Sequence, residues 1–86
     1  MSAGTLTEEK VQAILQDIVE CLVEDRATAH VDLTSSPDEL VFGIDVPEDE
    51  RAKIIGSNGR VIKGLQNVIG AMGGKIGKDV QIDIRE

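Results

Sequence analysis

The chain has 86 residues, 41% of them apolar, which is enough for one small domain with a modest core and too few for two. Its single cysteine excludes an internal disulfide and points to a reducing compartment. A formal charge of −7 argues against indiscriminate binding to nucleic acid, because an acidic surface repels the phosphate backbone.

Residues 5–25 read as one amphipathic helix. Val11, Ile14, Leu15, Ile18, Val19, Leu22 and Val23 recur at helical spacing and form a single stripe. Thr5 and Glu8 fit a capping box, and Glu8 and Glu9 suit the positive end of the helix dipole. Asp17, Glu20 and Glu24 lie on the opposite, solvated face. Cys21 falls at the edge of the stripe and reads as a small packing residue, with no base nearby to make it a nucleophile.

From Ala29 the period changes to two. Ala29, Val31 and Leu33 alternate with His30, Asp32 and Thr34, and Leu40, Phe42, Ile44 and Val46 alternate again beyond a Ser35-Ser36-Pro37-Asp38 turn. The pattern predicts an antiparallel hairpin over 28–46. His30 falls on the wet face and has no Cys or second His at ligand spacing, so it reads as a surface residue.

Pro47 ends the second strand, and Pro47-Glu48-Asp49-Glu50 resembles the acidic first turn of a helix. A short helix reaches Ile54-Ile55. A second begins near Gly59, with Val61, Ile62, Leu65, Val68, Ile69 and Met72 as a broad apolar face and Gly73-Gly74 as its stop, so the helix pair spans 48–72. Val80, Ile82 and Ile84 alternate with Gln81, Asp83 and Arg85 in a final strand over 79–85. The order α-β-β-α-α-β predicts an α+β domain over 1–86, with a three-stranded mixed sheet covered on one face by three helices. A right-handed crossover would make the last two strands parallel.

Charge is unevenly distributed along this order. Residues 1–50 carry 13 acids and two bases, net −11, whereas residues 51–86 carry three acids and seven bases, net +4. Arg51, Lys53, Arg60, Lys63, Lys75 and Lys78 lie in a stretch without an acid, an asymmetry that hints at nucleic-acid or membrane contact. The apolar runs are a few residues long, far below the roughly 18 a membrane span requires. The first residues lack the pattern of a secretory signal. A cytoplasmic protein without membrane contact is expected.

The chemistry concentrates at Ile54-Ile55-Gly56-Ser57-Asn58-Gly59-Arg60-Val61-Ile62-Lys63-Gly64-Leu65. With nine glycines in 86 residues a Gly-x-x-Gly pair carries little information alone, and two more occur, Gly70/Gly73 and Gly74/Gly77. Only the first pair lies between two predicted helices, where a turn lacking Cβ atoms permits close backbone approach. It leads into a helix whose unpaired N–H groups attract an anion. Arg60 and Lys63 sit in that first turn, where the helix dipole disfavours bases, so their placement suits an external anion.

These residues, in this order of elements, resemble the KH-domain family in its bacterial type II form. The free-standing length, the Pro-Glu-Asp lead-in and the Gly-Arg-x-Ile-Lys-x-Leu exit are similar to the small KhpA-like members. The resemblance implies single-stranded RNA as ligand, with Gly56, Ser57, Asn58 and Gly59 clamping the backbone of about four nucleotides. Arg60 and Lys63 would meet phosphates, flanked by Lys53. Ile55 and Ile62 would line the groove beneath the bases, although burial of both in the core fits the pattern equally. It further implies a role as an RNA chaperone or post-transcriptional regulator, acting as a homodimer or with a KhpB-like partner. Aromatic poverty separately excludes readers that stack bases on aromatic rings, since Phe42 is the single aromatic and alternation places it inside. Many KH loops carry a base between the glycines. Ser57-Asn58 does not, which with the net charge predicts weak affinity, micromolar or poorer, and a shallow salt dependence.

No enzyme, cofactor, metal site or small-molecule substrate is indicated. Gly59 and Gly64 have the spacing of a phosphate loop, but Leu65 stands where lysine is required. There is no Cys/His pair or metal cluster. The acidic clusters fall at turns and helix ends. The competing expectation is a KH fold serving as a protein-interaction module, favoured by the uncharged loop and by an acidic first helix suited to a basic partner.

Overall fold

The computed structural model describes residues 5–85; residues 1–4 and 86, which the expected domain included, lie outside it. Its helices are α1 (Glu8–Leu22), α2 (Arg51–Ile55) and α3 (Arg60–Ile76), and its strands are β1 (His30–Ser35), β2 (Glu39–Asp45) and β3 (Asp79–Ile84). Short 3-10 turns occupy Arg26–Thr28, Glu48–Glu50 and Ser57–Gly59. The order β1-β2-β3 makes one mixed sheet, β1 antiparallel to β2 and β3 parallel to it. Phe42 at its centre stands opposite Leu33 and Ile82. The α+β architecture and strand directions are those the periodicities predict.

The helix stripe and the inward face of the sheet close on one another. Val11, Leu15 and Val19 of α1 pack with Leu40, Phe42 and Ile44 of β2, Ile54 of α2 and Ile69 of α3, all fully buried. Burial of each such aliphatic or aromatic side chain contributes about 1.5–3 kcal/mol. The free edge of β1 is covered by α1, where Gln16 Nε2 donates to Ala29 O at 2.7 Å and Gln16 Oε1 accepts from Val31 N at 2.8 Å. Gln12 Nε2 donates to Val31 O at 2.8 Å, so two side chains stand in for a neighbouring strand. On the outer face Arg85 crosses the bare backbone of Gly43 to reach Asp32 at 2.7 Å.

Five local expectations need correction. The cap of α1 is Thr7, whose hydroxyl accepts from Lys10 N at 3.1 Å, and not Thr5. With Thr7 as the cap, Glu8 is the first helical residue and Thr5 lies outside the helix, so the two form no box, and the Glu8 carboxylate meets Lys78 instead. The helix ends at Leu22, and Asp25 instead caps the next turn by accepting from Ala27 N. Cys21 is exposed and packs in no core. Finally, α3 runs through Gly73-Gly74 to Ile76 and is closed by Gly77 at φ 88°, while Val68 faces solvent, 51% exposed.

Candidate nucleic-acid interface

Pro47 opens the turn that leads into the site, and Glu50 N donates back to Pro47 O at 2.8 Å. Five residues of α2 follow before Gly56 reverses the chain. Gly56 adopts φ 77° and ψ 174°, Asn58 φ 56° and Gly59 φ 75°. Three of four loop residues thus have positive φ, which glycine accepts freely and asparagine better than most. Gly56 is also sterically required: a Cβ there would stand 2.8 Å from Val61 N. Gly59 has room, its nearest neighbour being Lys63 Cε at 3.8 Å.

The loop delivers the chain into α3 with no side chain capping its N-terminus and no acid in its first turn. The turn itself bonds the first two amides, Gly59 N to Gly56 O at 3.1 Å and Arg60 N to Ser57 O, so this end offers an anion the positive end of the helix dipole with no acid to neutralise it. Ser57, Asn58, Arg60 and Lys63 are exposed around this terminus. Among the described residues, Arg60 and Lys63 take part in none of the ion pairs. The structure thus gathers an uncapped helix terminus, a sharply turned backbone and two free cations within eight residues, Gly56 to Lys63.

Lys53 differs from these two. Its ammonium lies 2.9 Å from Glu50 Oε2, off the hydrogen-bond direction, and 3.7 Å from Glu24 Oε2. The Glu50 carboxylate is nearly buried and its other oxygen accepts from Glu24 N at 3.3 Å, tying the end of α1 to the start of α2. Lys53 holds the Glu50 carboxyl below its ordinary value, and Glu50 in turn raises the lysine. Glu50 was not among the residues the sequence singles out; a lone acid in an acidic run gives no sign that it turns inward.

The two isoleucines separate. Ile55, the last residue of α2, is 41% exposed beside Gly56, whereas Ile62 is half-buried against the core. Ile55 is available to a ligand in this conformation, and Ile62 offers one edge. Of the six bases between 51 and 78, Lys53 and Lys78 are engaged by Glu50 and Glu8; of the four in no ion pair among the described residues, Arg60 and Lys63 lie beside the loop, Arg51 at the start of α2 and Lys75 in the last turn of α3.

A sequence profile of the KhpA/KhpB KH domain matches residues 12–84, from α1 to the last residue of β3. The chain belongs to this KH-domain family. Two relatives span nearly the same length. The RNA-binding protein KhpA of Aquifex aeolicus (strain VF5) is 34% identical over 76 residues, covering 84% of this chain and 96% of its own. The RNA-binding protein KhpA of Oceanobacillus iheyensis is 28% identical over 74 residues, covering 86% and 99%. KH domains are binding modules, not enzymes, and among the described residues no group of His, Cys, Asp or Glu could hold a metal. No helix among those residues is long and apolar enough to cross a membrane.

Proposed function

We propose that this KH domain binds single-stranded RNA at the Gly56–Gly59 loop. The supporting observation is the uncapped N-terminus of α3 flanked by unpaired Arg60 and Lys63. The backbone amides of Ser57 and Asn58, outside the bonds that close the turn, donate to phosphate oxygens at the positive end of α3, and the two cations neutralise the neighbouring charges. Ser57 and Asn58 add hydroxyl and amide donors. Bases stack against Ile55 and the exposed edge of Ile62. The names of both relatives as RNA-binding proteins support the same reading. With two free cations and a net charge of −7, affinity is weak, and the domain acts within a larger complex, in the cytoplasm, as an RNA chaperone or post-transcriptional regulator.

The test is fluorescence anisotropy of short labelled single-stranded RNAs with wild type and the double variant Ser57→Asp/Asn58→Asp. Aspartate tolerates the left-handed conformation of position 58, so circular dichroism should show an unchanged fold. Two carboxylates in the loop should repel the phosphates and abolish binding. Equal binding by both proteins would place the RNA elsewhere on the domain, and binding by neither would overturn the reading.

Association with a second KH protein, either another copy or a KhpB-like partner, is favoured by a separate feature of α3. Val68 is exposed, and Gly64 one turn earlier has nothing within 4 Å of where a Cβ would stand. A glycine inside a helix costs about 1 kcal/mol relative to alanine, and the packing of this chain gives no return for it. A partner helix approaching closely over Gly64 and Val68 does. Sedimentation of wild type and Val68→Glu tests this: association should be lost in the variant, with loop-dependent RNA binding retained.

A further inference from the structure

We propose that Glu50 is a positioning residue that withholds Lys53 from RNA, so that the loop neutralises phosphates with Arg60 and Lys63 alone. This rests on the RNA-binding reading and assigns a role to a residue outside the loop. Lys53 lies three residues before Gly56, near enough in sequence to act as a third phosphate ligand. Its ammonium is instead 2.9 Å from Glu50 Oε2, and the Glu50 side chain is only 11% exposed. A phosphate drawing Lys53 outward would leave that carboxylate shielded from water without a counter-ion, and an uncompensated buried charge is strongly unfavourable. Glu24 adds little to the restraint, because its side chain is 85% exposed and 3.7 Å away. It does add negative charge on the α2 side of the loop. Lys53, Glu50 and Glu24 together carry a net charge of −1, which Arg51 at the start of α2 brings to zero, whereas the α3 side carries +2 from Arg60 and Lys63. RNA is therefore drawn to the α3 side.

Salt dependence counts the cations in contact with phosphate, and a purely structural role for Glu50 would not change that count. For single strands the slope of log K against log salt changes by about 0.7 for each phosphate neutralised. Arg60→Gln and Lys63→Gln should each make the slope shallower by about that amount. Lys53→Gln should leave the slope unchanged, whatever it does to stability. Glu50→Gln keeps an acceptor for Glu24 N and releases Lys53, so its slope should steepen by about 0.7, and adding Lys53→Gln should restore the wild-type value. A shallower slope in Lys53→Gln, or no steepening in folded Glu50→Gln, overturns the assignment while leaving RNA binding intact. Absence of RNA binding by the wild-type protein would instead remove the reading on which the proposal rests.

Discussion

Val80 at the start of β3 occupies the space where a Cβ on Gly73 would stand, and Lys78 O would lie 2.9 Å from the same atom. Gly73 is thus a contact residue of α3 and not its terminator. Two substitutions separate the propensity of the helix from its packing. Gly70→Ala adds a methyl group in open space, off the face that carries Gly64 and Val68, and should raise stability by up to about 1 kcal/mol. Gly73→Ala has the same propensity gain but forces Val80 and the Lys78 carbonyl away, an overpacking cost of about 1–3 kcal/mol. At about 4–8 °C per kcal/mol for a domain of this size, thermal melts should move in opposite directions. A rise in both would show that β3 does not press on α3 as described.

The same pair illustrates what the sequence made legible. Alternation across 29–46 and 80–84 and the helical stripe of 11–23 identified the strands, their inward faces and the first helix, because both depend on periods of two and 3.6 that burial imposes directly. The Gly-x-x-Gly turn was legible for a similar reason: glycines between two helices imply unusual φ. Local chemistry could not distinguish a glycine that ends a helix from one that admits a neighbouring strand, since both break propensity alike. Nor could it show that Lys53 faces Glu50, that Val68 turns outward or that Thr7 replaces Thr5 as a cap. Each depends on partners distant in sequence, as with Lys78 on Glu8, 70 residues apart.

Two carboxylates make stability depend on acid. Glu8 accepts from Lys78 Nζ at 2.6 Å and has Ser35 beside it, and these contacts lower its pKa. Glu50 is lowered by Lys53 and by Glu24 N. Groups whose pKa falls on folding stabilise fully above the ordinary glutamate value of about 4.5, and that contribution disappears as pH drops through the folded values. Lys53, raised by Glu50, has the opposite sign: its contribution is intact below 10.5 and is lost in strong alkali. Urea midpoints should therefore fall steadily below pH 4.5 with little change in the slope of the transition. In Glu8→Gln/Glu50→Gln the midpoint should be lower at pH 7 and should fall less steeply on acidification. An equally steep fall in the double variant would assign the acid response to other carboxylates.

The two loop glycines should fail differently when substituted. Gly59 sits at φ 75° and ψ 16°, the left-handed helical region, with no close neighbour, so Gly59→Ala should cost only the backbone penalty of about 1–2 kcal/mol. Gly56 combines φ 77° with ψ 174°, a region reserved for glycine, and a Cβ there would collide with Val61. Gly56→Ala should therefore cost more than about 3 kcal/mol or push the loop out of register with α3. Chemical denaturation gives the order of the two costs, and amide chemical shifts of residues 57–62 report whether the loop moved. The expected result is a folded Gly59→Ala with small shifts, and a Gly56→Ala that is largely unfolded or shifted throughout the turn. On the proposed reading of this turn as the phosphate site, RNA affinity should follow the shifts more closely than the loss of stability. Equal costs at both positions would mean that Val61 does not buttress Gly56, and that the entry into α3 is looser than its backbone angles describe.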